Sequence, residues 1–188
     1  MLAVLSLALA VASVNGTFAS PACWIRGDRA DLDTRISRLD SVTTTLGSDT
    51  LVVCYSRPRM LGRPIMGRVV PFGEPWRLGA NEATTLTVSA PVLFGDIKLA
   101  AGSYSLYAVP EQREWRVIVN RAARRWGIPI NDTVKAQDIG SVSAAVEAVT
   151  PPVEELRIQF EPEGRDAVDL VIEWERTRVR VPIRRAPS

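Results

Sequence analysis

Apolar and polar residues alternate with a period of two through the C-terminal third of the chain. Leu156, Ile158 and Phe160 oppose Arg157, Gln159 and Glu161; Leu170, Ile172 and Trp174 oppose Asp169, Val171, Glu173 and Glu175; Val179, Val181 and Ile183 oppose Arg178 and Arg180. This alternation puts one face of each segment on a core and the other in water, as the strands of a two-layer antiparallel protein require. Further strand signals fall at 42–46, 50–55, 84–89, 92–93, 98–99, 103–109, 115–120 and 144–149, with 168–175 and 178–183 read as separate strands. Gly47-Ser48-Asp49 supplies a hairpin turn between the first two. The pattern predicts an all-β fold, an antiparallel β-sandwich of about eight to ten strands, jelly-roll-like or immunoglobulin-like. It forms a single domain over residues 41–185.

Two segments break the rhythm. Residues 56–83 form a long ordered loop, and the stretch from Tyr55 to Leu86 holds five arginines, four glycines, four prolines and a tryptophan. A connection of that length inside a compact domain is a functional surface or a structural plug. Residues 121–138 form a second long connection with room for a helical turn. Before the first strand, residues 20–40 read as a polar arm.

The first 25 residues contain no charged side chain and begin with the apolar run MLAVLSLALAVASV. That run is shorter than the ~20 residues of a membrane span and suits the hydrophobic part of a secretory signal. Residues 1–19 are therefore read as an N-terminal apolar helix or signal segment, with cleavage before Ser20, retention as a membrane anchor, or lipidation at Cys23 as its fates. The expected location is exported, periplasmic or anchored facing the periplasm. In that compartment Cys23 and Cys54 are candidates for a disulfide, with two free thiols as the alternative.

Composition narrows the chemistry. There is no histidine, which removes histidine-based triads, histidine metal sites and the usual base near neutral pH; two cysteines cannot close a Cys-only zinc site. No metal, cofactor or catalytic residue is expected, and the reading leans away from an enzyme. A net charge of +2 gives no reason to expect nucleic acid. Arginine outnumbers lysine 21 to two, which fits a surface laced with carboxylate pairs as well as a codon bias.

The candidate binding residues are Arg57, Arg63, Trp76, Arg77, Asn81 and Glu82 in the long loop, and Arg124, Arg125 and Trp126 in the second connection. Forked guanidiniums, an aromatic platform and an amide form an anion cleft if open. If closed, Glu82 pairs with Arg77 or Arg63 and staples the loop to the sheet. Paired carboxylates (Glu82 with Glu74 or Glu173) and a serine nucleophile (Ser56 or Ser105) are weaker readings, lacking spacing or a base. Trp76, Trp115, Trp126 and Trp174 form a sugar-stacking strip or core; Trp115 and Trp174 sit on apolar strand faces, which favours core.

Tyr55-Ser56-Arg57-Pro58, Gly62-Arg63, Gly67, Val70-Pro71-Phe72-Gly73, Trp76-Arg77 and Gly79-Ala80-Asn81-Glu82-Ala83-Thr84-Thr85 occur in an order that resembles a bacterial family of exported proteins, domain of unknown function 2911. Glu173-Trp174 through Pro182 extends the resemblance, which covers about Val42 to Ile183. The family has no assigned activity. Phe72 stands where a tyrosine is usual, Ile128-Pro129-Ile130 replaces a tyrosine after Trp126-Gly127, and the cysteine pair is not a family feature.

Two functions fit. The first is an exported non-catalytic protein acting through protein–protein contacts, as an accessory subunit of an envelope membrane complex, with membrane contact through residues 1–22. The second is a periplasmic binder of a small anion or carbohydrate, or an enzyme, with its site in the 57–85 loop.

Overall fold

The computed structural model describes residues 23–187, so the expectations for residues 1–22 lie outside the described residues. Ten strands follow one another: β1 (Arg38–Leu46), β2 (Asp49–Arg57), β3 (Thr84–Val88), β4 (Val92–Phe94), β5 (Ile97–Leu99), β6 (Gly102–Pro110), β7 (Glu114–Asn120), β8 (Asp138–Ala145), β9 (Glu147–Pro162) and β10 (Ala167–Arg185). They form an antiparallel sandwich with a six-stranded sheet in the order β1-β2-β3-β6-β7-β8 and a four-stranded sheet in the order β5-β4-β10-β9. The alternating residues fill the space between the sheets: Leu51, Val53, Leu86, Leu106, Val117 and Val119 from one, Leu156, Ile158, Leu170, Ile172, Val179 and Val181 from the other.

Two elements depart from expectation. β8 begins inside the stretch read as a connection. Its outward residues, Ser141 and Ser143, are small and polar, and its inward Gly140 lies so close to Ile97 that a Cβ there would sit 2.9 Å from Cδ1. Its larger apolar residues, Ile139 and Val142, both packed against the core, are three positions apart beside the register shift at Val119/Asn120, so the strand carries no period-2 signal. The segments 168–175 and 178–183 are one 19-residue strand with register shifts around Glu175, whose φ is +56°. A bulge bends the strand there instead of a turn ending it.

The arginine excess has a structural use. On the outer face of the four-stranded sheet, Glu173 is fully buried and takes Arg157 Nε at 2.7 Å and Arg178 Nε at 2.5 Å. Arg180 continues the network to Glu161 and Glu147. Forked guanidiniums bridge several carboxylates at once, which a point charge on lysine does less well.

Cys23 and Cys54 are disulfide-bonded, their Cα atoms 5.7 Å apart. The bond ties residues 23–37, none of them buried, to the outer face of β2. Reduction is expected to cost about 3 kcal/mol on the loop-entropy estimate. Denaturant titrations with and without a reductant measure that cost.

Candidate functional site

The long loop is a plug wrapped over one end of the sandwich. Its first residues extend onto the free edge of β9: Leu156 donates to the Pro58 carbonyl at 3.0 Å and Met60 donates to the Glu154 carbonyl at 2.9 Å. Tyr55 extends the same covering, its hydroxyl donating to the Ile158 carbonyl and accepting from the Ile158 N–H. Arg57 pairs with Asp40 and Glu155. The Tyr-Ser-Arg-Pro run thus closes an open sheet edge, which otherwise invites pairing with another chain.

Further along, Glu175 at the β10 bulge accepts from the N–H groups of Ile65 and Met66. Arg63 turns back onto the carbonyls of Met60 and Arg59 and meets no carboxylate. Trp76 then enters the core, pairing with the backbone of Ala108. Its ring stacks on Trp174 with centroids 5.8 Å apart and meets Trp115 edge-on at 5.7 Å. Trp76, Trp115 and Trp174 are therefore packing residues.

Glu82 is the centre of the polar candidates, and its partner differs from expectation. It is 4 % exposed, and neither Arg77 nor Arg63 pairs with it. Arg35, from the N-terminal arm, grips it with both branches of its fork: Nη1 to Oε2 at 2.7 Å and Nη2 to Oε1 at 2.9 Å. The Arg26 backbone N–H adds a third bond to Oε1 at 2.8 Å. Burial alone would raise this carboxyl's pKa; Arg35 and the Arg26 N–H outweigh it and hold the group below its ordinary value. Arg35 carried no signal in the sequence, because its importance depends on where the arm folds back.

Around Glu82 the loop and the second connection are laced together. Glu82 and Trp126 form an antiparallel bridge; Gly127 donates to the Asn81 carbonyl at 2.8 Å and Ala83 to the Arg125 carbonyl at 3.1 Å. The approach at Gly127 is so close that a Cβ would lie 2.8 Å from that carbonyl and 2.5 Å from Arg77 Cδ. Asn81, at φ +58°, donates its side-chain amide to the Ser37 carbonyl at 3.1 Å and to Ser56 Oγ at 3.4 Å. Arg26 lies over the Trp126 ring, 5.8 Å from its centroid.

The remaining arginines separate by environment. Arg77 is half-buried and donates from Nε to the Gly79 carbonyl; burial pushes its pKa down. Arg125 gives Nη1 to the carbonyls of Trp126 and Gly127, while its Nε and Nη2 are enclosed without a partner among the described residues. Arg124 is exposed and lines a crevice of about 90 Å³ shared with Cys23, Trp24 and Cys54. Among the described residues neither serine faces a base: Ser56 meets Asn81, and Ser105 is fully buried with no partner for its hydroxyl.

A larger basin was not foreseen. About 480 Å³ in volume, it opens on the outer face of the six-stranded sheet between Glu74 of the loop and Lys135 of the short helix α1 (Asp132–Lys135). Its floor contains Tyr107, Val109 and Ile118, with Arg116 and Asp138 at its sides. Tyr107 donates to Asp138 at 2.6 Å; burial and that carboxylate hold the phenol well above its ordinary pKa. Asn120 donates to the other oxygen at 2.7 Å. The strands were legible, but the basin needs β8 as a strand and so could not be read from the chain. Among the described residues no group of three or more acidic or cysteine side chains is placed to hold a metal ion, and no helix is long and apolar enough to cross a membrane.

Comparison with curated proteins and with solved structures finds no match. A family model matches residues 37–183, which takes in every strand except the last two residues of β10, together with the whole of the long loop. On that match the chain belongs to the family described as Protein of unknown function (DUF2911).

Proposed function

We propose that this is an exported, non-catalytic β-sandwich protein that works by contact with a partner protein in the cell envelope, through the tip of its long loop. One observation carries the reading: the tip is rigidly fixed from below yet holds apolar side chains in water. Ile65 and Val70 are buried, Val70 donates to the Ile65 carbonyl at 3.0 Å, and Glu175 receives the N–H groups of Ile65 and Met66. Above these anchors Leu61 is 58 % exposed and Val69 45 %, with exposed Arg68 beside them. A pre-ordered surface of apolar residues and arginine is suited to a protein interface, because little entropy is lost on docking. The saturation of Glu82 by Arg35 supports the non-catalytic side of the reading, and the disulfide is compatible with an oxidising compartment.

A photo-crosslinking amino acid at position 69, in cells making the protein at native level, is expected to give a discrete adduct. One at Arg165, in the β9–β10 turn, is expected to give none. Replacing Leu61 and Val69 together by serine is expected to remove an adduct formed from position 68 while stability changes by less than about 0.5 kcal/mol. Equal labelling from both positions, or none, would refute the tip as a contact surface. N-terminal sequencing of the native protein tests export: a start after residue 19 or an envelope-bound intact chain agrees, and an intact chain in the cytosol does not.

A further inference from the structure

The arm that covers Glu82 is held down in an unusual way. None of residues 23–37 is buried, and the 3-10 helix Arg29–Thr34 within them contributes no core residue. Apolar burial therefore does little to hold the arm. Its attachments are the disulfide, the Arg35 fork and Arg26 N–H on Glu82, the Asn81 amide on the Ser37 carbonyl, and the Arg26 guanidinium over Trp126.

On the receiving side these groups form one rigid set. Asn81, Glu82 and Trp126 are joined by the Glu82–Trp126 bridge and the Gly127 bond to Asn81, so they do not depend on the arm for their placement. Their chemistry is that of peptide recognition: a carboxylate for a guanidinium fork, an aromatic face for a second guanidinium, and an amide donor for a main-chain carbonyl. The family match begins at residue 37, so all three receptors lie inside it, whereas Arg26 and Arg35 lie outside.

We propose that Asn81, Glu82 and Trp126 form a binding site for an arginine-bearing peptide segment, and that residues 23–37 are an occupant of that site pinned at its far end by the disulfide. The arm runs directly into β1, so its occupation is intramolecular in either redox state, with an effective concentration far above that of a free competitor; the disulfide adds a second attachment at its far end. A dithiol reductant removes that second attachment by exchange. Its thiolate attacks one sulfur of the Cys23–Cys54 bond, its second thiol then attacks the mixed disulfide and releases the protein sulfur, and the reductant leaves oxidised with two thiols left on the protein. This site is separate from the loop tip, so either reading can fail without the other.

The test uses the full chain and a fluorescent peptide carrying the sequence of residues 24–37, with binding followed by anisotropy. The oxidised protein is expected not to bind it. The reduced protein, and the Cys23→Ser, Arg35→Ala double variant, are expected to bind it at least tenfold more tightly. A peptide with both its Ile-flanking arginines, equivalent to Arg26 and Arg35, replaced by alanine is expected to lose at least tenfold on the same protein samples, a comparison that does not depend on how a variant folds. Circular dichroism confirms that reduced and variant proteins retain their sheets. Folded, opened protein that ignores the peptide, or binds the alanine peptide equally well, would show that the arm is a covalent brace and overturn the proposal.

Discussion

Replacing Trp174 by alanine is expected to lower the unfolding free energy by about 4 kcal/mol, the largest loss of any single substitution considered for this protein. Trp174 is 2 % exposed and stands between two systems. It fills the core as part of β10, and it stacks on Trp76, the residue by which the long loop enters the sandwich. Its indole N–H also donates to the Glu154 carbonyl at 3.3 Å, the same carbonyl that receives the Met60 N–H. Deleting the ring therefore opens a cavity and frees the loop's hold on the core together. Two measurements follow. Denaturant unfolding gives the energy, and limited trypsin digestion of the native variant reports the loop, with accelerated cleavage after Arg59 or Arg68. A loss below about 1.5 kcal/mol, or unchanged cleavage, would mean that Trp76 is held mainly by its backbone pairing with Ala108.

The second large effect is expected at Glu82. Glu82→Ala leaves the Arg35 fork and the Arg26 N–H without an acceptor in a site that is only partly open to water. Breaking a buried pair from one side costs about 3 kcal/mol. The pH dependence has a definite sign. The folded pKa of Glu82 lies below its unfolded value. Its contribution is thus complete above the unfolded value, near pH 4.3, and is lost as pH falls through the folded one. Stability curves of the wild-type and Glu82→Gln proteins are expected to run parallel above about pH 5 and converge in acid. Curves that stay parallel down to pH 2 would show that the carboxylate contributes no charge-dependent stability. Arg35→Ala is expected to reproduce most of the acid behaviour, whereas Arg77→Ala is not.

The sheets could be read from the chain because their residues alternate, and alternation depends only on the strand itself. Trp115 and Trp174 were legible as core for the same reason, whereas Trp76, in the loop and outside any alternating strand, was expected as a binding platform and packs against both. Partner identity was not. Glu82 stood out as a carboxylate in an arginine-rich loop, and the nearest arginines in sequence, Arg77 and Arg63, were the natural partners to expect. The actual partner, Arg35, is 47 residues away and arrives because the arm that precedes β1 folds back across β2, where the disulfide and the Asn81 amide hold it. Arg63 and Arg77 were misleading because a guanidinium can be satisfied by backbone carbonyls, which leave no trace in the sequence. β8 and the basin beside it escaped notice because small residues pack by closeness, as Gly140 does against Ile97, and not by a pattern of size or polarity.

The position of β10 has a consequence for how the protein is made. β10 lies in the middle of its sheet, with β9 on one side and β4 on the other, and it contributes Trp174 to the tryptophan stack and Glu173 to the arginine network. All strands of the six-stranded sheet precede it, whereas β9 and the β4–β5 hairpin are joined only by β10. During synthesis the larger sheet can therefore pair first, with its apolar face uncovered until residues 167–185 arrive to assemble the second layer.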